Sequence, residues 1–95
     1  MTAWVYLLTN RKNGAIYTGV TRDIAQRTWQ HRERTGSAFC HKYGIDQLVH
    51  AEAHDTIVDA IAREKAIKKW RRAWKVALIE KDNSDWRDLW FDLNR

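Results

Sequence analysis

The chain contains no proline and only 4 glycines in 95 residues. With the two strongest breakers of regular structure so scarce, proline-rich linkers and long irregular loops are excluded, and regular elements joined by short connections are expected. A single cysteine, Cys40, leaves no internal disulfide to form, which suits a reducing compartment. No apolar run approaches the ~18 residues of a membrane-spanning helix, and the first residues lack the basic-then-apolar order of a secretory signal. A cytoplasmic location without a membrane partner is therefore expected. Nothing repeats and no low-complexity stretch divides the chain, so residues 1–95 read as one domain with one modest core.

What is present is basic and aromatic. Lysine and arginine number 17 against 12 acids, a formal net charge of +5, and 6 residues are tryptophan. The charge points to a polyanionic partner, although modest positive charge is also a solubility device. Apolar residues at 44% and charged residues at 31% describe a globular chain rather than a disordered one.

Residues 3–9 and 15–21 are rich in Val, Ile, Tyr, Trp and Thr and read as strands around the turn-forming segment 10–14, in which Asn13-Gly14 is a strong hairpin signal. A register that sets Tyr6 against Tyr17 and Trp4 against Gly19 puts both tyrosines on one face of the sheet and lets Gly19 make room beside Trp4. Thr21 or Asp23 caps a helix over about 23–34, which brings Ile24, Thr28 and His31 to one face with Arg27. Residues 35–45 form a loop with one helical turn between Ser37 and Tyr43, and Gln47 to Ala53 read as a third strand at an edge or half-buried position. Thr56 with Asp59 starts a helix that runs to about Lys69, and a further helix, with or without a break near Trp70, continues to Glu80 and buries Trp74, Ala77 and Leu78. Ser84-Asp85 caps a last short helix with Trp86, Leu89, Trp90 and Leu93 on its apolar face.

The densest chemistry lies in WVYLLTNRKNGAIYTGVTRDIAQRTWQH, residues 4–31. Tyr6 and Tyr17 are eleven apart, Arg27 follows Tyr17 by ten, and His31 follows Arg27 by one helical turn. A strand tyrosine is commonly just a half-buried aromatic, and a phenol is a poor base at neutral pH unless a cation acts on it. Arg27 beside a phosphate offers a planar fork for charge developing on the oxygens. His31, one turn on, suits proton transfer. On a helical wheel Glu64 sits among Ile57, Ala60, Ile61 and Ile67, in the middle of the apolar stripe. A carboxylate there needs a cation. Lys68 is the ordinary partner, and a divalent metal completed by waters and a substrate phosphate is the other.

The basic residues Lys65, Lys68, Lys69, Arg71, Arg72 and Lys75 read first as a solvated face. With Arg11, Lys12, Arg22 and Arg32 they form a candidate grip on phosphates that would not read sequence. Trp70, Trp74, Trp86 and Trp90 are spaced for core or dimer packing, with base stacking the lesser option. His41, His50, His54 and Cys40 lack the spacing of a zinc site.

The run from Val5-Tyr6 through Tyr17-Thr18-Gly19, then Arg27, His31 and a glutamate on a later helix, resembles the GIY-YIG nuclease superfamily, and more narrowly its small stand-alone bacterial members. The resemblance extends through Ala62-Arg63-Glu64-Lys65 to Leu78-Ile79-Glu80. It implies an α+β fold, a small three-stranded antiparallel sheet flanked by helices, and metal-dependent hydrolysis of DNA phosphodiesters. By position it implies that Tyr6 orients groups in the site, Tyr17 acts on the attacking water, Arg27 stabilises the phosphate, His31 assists proton transfer, and Glu64 holds one Mg2+ or Mn2+ ion. Gly19 is the matching motif glycine. Three positions depart from the pattern. Trp4 stands where the first motif has glycine, Val20 where many catalytic relatives keep a lysine, and Asn83 is the candidate for a late asparagine; Arg22 is a candidate substitute for the lysine. With no reading helix or second domain, selection by DNA structure or damage, as in DNA repair at branches or flaps, is the expectation, with a homodimer or a targeting protein as further partner options. The rivals are a nucleic-acid-binding or adaptor module without turnover, motivated by Trp4 and Val20, and an interaction domain using the C-terminal tryptophans.

Overall fold

The computed structural model describes residues 2–33 and 38–93. β1 (Ala3–Thr9) is the middle strand of a three-stranded antiparallel sheet, with β2 (Ile16–Thr21) on one side and β3 (Gln47–His54) on the other. Its sequence AWVYLLT is apolar almost throughout because helices cover both of its faces, and six of its seven residues are buried.

The hairpin register differs by two residues from the expected one. Tyr6 pairs with Gly19, Leu8 with Tyr17 and Trp4 with Thr21. The turn is the cause. Asn13 adopts a left-handed φ of 61°, the Gly14 amide donates to the Arg11 carbonyl at 2.9 Å, and the Ala15 amide donates to Asn10 Oδ1 at 3.0 Å. The loop therefore closes beyond the Asn-Gly pair. A shift by an even number preserves the face, so the two tyrosines remain on one side. Gly19 makes room not beside Trp4 but opposite Tyr6: a Cβ there would overlap the Tyr6 ring and hydroxyl.

α1 (Ile24–Arg32) starts at Asp23, whose carboxylate accepts from the Gln26 amide at 3.0 Å. Thr21 sets the approach by accepting from the Asp23 amide. Arg34 and residues 35–37 of the expected loop lie outside the described residues. α2 (Ala38–Tyr43) ends at Gly44, left-handed with φ 65°. β3 carries a bulge: Leu48 opposes Leu8 and His50 opposes Leu7, so Val49 is the extra residue and turns into the core. α3 (Ile57–Lys68) is capped by Thr56, which accepts from the Asp59 amide at 3.1 Å.

α3 breaks at Lys69-Trp70, and α4 (Arg72–Asp82) follows. The Arg72 guanidinium donates to the carbonyls of Asn13 and Gly14 at 2.8 and 2.7 Å, which ties the start of α4 to the hairpin turn. The face that α4 buries is therefore Ile79 with Val76 and Leu78 beside it, whereas Trp74 and Ala77 are exposed, contrary to expectation. No helix starts at Ser84-Asp85 either. Trp86 is left-handed (φ 57°) and buried, its indole donating to Glu80 Oε2 at 2.7 Å, so α5 is only Trp90–Leu93. Asp88 supplies its cap by accepting from the Trp90 amide at 3.0 Å. The Leu93 side chain, assigned to the same apolar face, lies outside the described residues.

Two apolar layers result. Against α3 and α4 the sheet packs Ala3, Val5, Leu7 and Val49 on Ala60, Ile67, Ile79 and Trp86. On its other face Tyr6, Leu8 and Leu48 meet Ile24, Cys40 and Ile45. Among the described residues no helix is long and apolar enough to cross a membrane.

Candidate active site

The second layer is where the polar groups gather. Tyr6 from β1, Tyr17 from β2 and His31 from α1 form a ring triad with centroid distances of 6.4 Å between the tyrosines, 6.0 Å from Tyr6 to His31 and 5.6 Å from Tyr17 to His31. Tyr6 is fully buried. Its hydroxyl shares a 3.3 Å hydrogen bond with His31 Nε2, the donor depending on the imidazole tautomer. His31 is also buried, and its Nδ1 has no partner among the described residues. A buried nitrogen left unsatisfied costs about 1–3 kcal/mol, a cost that fold stability alone gives no reason to retain.

The electrostatics follow from this burial. Desolvation pushes the Tyr6 hydroxyl well above the ordinary phenol value, with Tyr17 adding to the shift and Arg27 opposing it by charge and hydrogen bonding. Tyr17 is raised by burial and by the Cys40 thiol, while Lys68 and Arg27 pull it back and Glu64 pushes it up. His31 is lowered by burial and then by Arg27, so the imidazole is neutral at pH 7. Arg27 therefore acts on both phenols, whereas Glu64 and Lys68 of α3 act on Tyr17 alone.

Glu64 lies where the wheel puts it, its side chain 13% exposed, but its Oε2 is held by Lys68 Nζ at 3.0 Å. The ordinary partner is thus present. As a donor set, one hard, largely shielded carboxylate fits a magnesium-like ion completed by water and phosphate rather than an all-protein cage, and no three His, Cys, Asp or Glu side chains are placed to hold a metal ion together among the described residues.

Other expected residues do not join the site. Arg22 is exposed and is not among the charges acting on Tyr17; Lys68 occupies the role proposed for it. Asn83 spends its side chain on the backbone, donating to the carbonyls of Val49 and Arg87 and accepting from the Arg87 amide. Arg32 is bound to Asp88 at 2.5 Å and stacked on Trp90, and Arg72 is bound to the hairpin turn, so both are structural contacts rather than free phosphate grips. Arg11, Lys12, Lys65, Lys69 and Arg71 are exposed, and Lys75 is half-buried.

One cluster escaped the sequence reading. His50, Glu52 and His54 share a face of β3, and Glu52 takes bonds from both imidazoles at 2.9 and 3.0 Å and from Arg63 at 2.7 Å. The alternation His-x-Glu-x-His on a strand was its signal.

Two tyrosines on one face of the sheet, a helix bearing arginine and histidine against them and a glutamate on the later helix α3 are the residue types of the resembled nuclease pattern. The chain matches the model of the GIY-YIG catalytic domain over residues 2–77 and belongs to that family, a nuclease family whose members generally use a divalent metal. It is similar to a UPF0213 protein of Staphylococcus saprophyticus, 37% identical over 68 residues covering 72% of this chain and 83% of that protein. A UPF0213 protein of Pseudomonas aeruginosa is 34% identical over 76 residues, 80% of this chain and 73% of that one. The solution NMR structure of a UPF0213 protein from Bacillus halodurans shares the fold with a TM-score of 0.57 at 27% identity, covering 93% of each chain.

Proposed function

We propose that this protein is a metal-dependent endonuclease that hydrolyses DNA phosphodiesters and selects its substrate by structure rather than by sequence. The observation that carries the reading is the clustering of the Tyr6, Tyr17 and His31 rings, with Arg27 acting on both phenols and Glu64 and Lys68 acting on Tyr17.

Glu64 would hold one Mg2+ or Mn2+ ion, which when bound supplies a Lewis acid for the phosphate and lowers the pKa of a water. The remaining chemistry belongs to the side chains. Arg27, which is exposed, would neutralise charge on the non-bridging oxygens. Tyr17 stays protonated at neutral pH because burial raises it, so it orients the attacking water by hydrogen bonding. The group suited to take the proton is His31, neutral and joined to the Tyr6 hydroxyl, directly or through that hydroxyl. Lys68 holds Glu64 in the free protein. A helix-surface pair of this kind is worth only ~0.3–0.5 kcal/mol, so it would not keep Glu64 from serving as a metal ligand.

The Lys68–Glu64 bond also favours a second reading, a binding module in which the lysine permanently neutralises the acid. Incubating the protein with duplex, single-stranded, flap and branched DNA, with Mg2+, Mn2+ or chelator, separates the two. The nuclease reading expects metal-dependent cleavage that falls by more than about 100-fold in Glu64→Ala, beyond the loss typical of a residue that merely supports a metal ligand. Binding without cleavage under every condition selects the module.

A further inference from the structure

Outside the site, the least explained surface is the outer stripe of α4. Trp70, Trp74, Ala77, Leu78 and Lys81 line an open depression of about 330 Å3. The two indoles meet edge to face at 6.1 Å, and Trp74 is 51% exposed, which is costly for a side chain with nothing to cover it. Its edge is cationic. Arg71 stacks over Trp74 at 4.8 Å, and Lys75 and Lys81 lie on the same helix. None of these three cations takes part in an ion pair among the described residues.

We propose that this depression is a stacking subsite for an unpaired base of a DNA strand. An apolar, aromatic floor bordered by unneutralised cations matches a nucleotide strand, in which flat apolar bases alternate with anionic phosphates. A base inside a duplex is already stacked and cannot enter, so the subsite selects single-stranded or locally unpaired segments. Arg63, the neighbour of Glu64, reaches the Trp70 ring at 4.9 Å, so the depression begins beside α3 itself. The proposal rests on the nuclease reading for the path of the strand, but its own binding contribution is measurable without cleavage.

The test uses the full chain in chelator, so that nothing is cut, and follows the anisotropy of a fluorescein-labelled oligothymidylate and of a labelled hairpin duplex. Trp74→Ala should weaken the single strand about tenfold or more and leave the duplex nearly unchanged, and Trp74→Phe should restore most of the loss. Equal affinity of wild type and Trp74→Ala for oligothymidylate overturns the subsite while leaving the nuclease reading intact. So does an equal loss for both probes, or a shift from dimer to monomer in Trp74→Ala by sedimentation, which would make the depression a contact between two copies of the chain. Failure of the wild type to bind either probe sinks the nuclease reading as well. Trp74 is exposed, so its replacement does not threaten the fold.

Discussion

At the scale of single residues, Gly19 and His31 show how the site is held. Gly19 lies opposite Tyr6 in the sheet, where any side chain would meet the phenol ring and its hydroxyl. Gly19→Ala should therefore cost ~1–3 kcal/mol in urea unfolding, as overpacked positions do, and should reduce cleavage by pushing Tyr6 away from His31. Gly44 is the control. It faces open space, so Gly44→Ala should cost only ~1 kcal/mol for its left-handed φ of 65° and should leave cleavage unchanged.

His31 makes a prediction about pH. Its pKa in the folded protein lies below the ordinary 6.5, because burial and then Arg27 disfavour the charged ring. Between that lowered value and 6.5 the unfolded chain binds a proton that the folded one does not, so stability rises with pH across this window. The full contribution is present above about pH 6.5 and is lost on acidification below it. Melting temperature measured from pH 7.5 downward should show this slope in the wild type and a flatter one in His31→Gln.

At the scale of elements, β3 and α3 are tied by Glu52. Burial alone would push its carboxyl up, but hydrogen bonds from His50, Arg63 and His54 together hold it down at about 2, well below the ordinary 4.5. The stability it contributes is present above pH 4.5 and is lost as pH falls from there toward 2. Glu52→Gln should destabilise the protein by ~1–3 kcal/mol at pH 7, since two imidazoles and a guanidinium lose a charged acceptor. The difference from wild type should shrink in urea titrations repeated near pH 3.

Sequence signals at this scale were unequal. Thr56 with Asp59 and Asp23 before Ile24 are local capping patterns and marked helix starts directly. A break near Trp70 was one of two readings the sequence left open, whereas the rotation of α4 was not legible, because the start of α4 is tied by Arg72 to the carbonyls of a turn 58 and 59 residues earlier. The last helix failed for a similar reason. Burial of Trp86 in the core requires a left-handed backbone that propensity alone would refuse.

At the scale of the whole molecule, the net charge of +5 is distributed unevenly in use. Arg32 and Arg72 are committed to internal contacts, which leaves Arg11, Lys12, Lys65, Lys69, Arg71 and Lys75 among the cations available to phosphates. DNA affinity should therefore fall linearly in a log-log plot against salt, and Lys69→Ala should lower that slope by about one, whereas Arg32→Ala should act through stability instead. Fluorescence anisotropy at several salt concentrations checks both.

Order and type of most elements and the four-residue step from Arg27 to His31 were determined by the sequence itself, because caps, strand alternation and helical period act over a few residues; the shared face of Tyr6 and Tyr17 held because the register shifted by an even number. What only the tertiary structure decided were contacts between distant segments: Gly19 against Tyr6, Arg72 against the hairpin turn, the bulge at Val49, and the exposure of Trp74. Those depend on how one surface docks on another, and no local period carries that information.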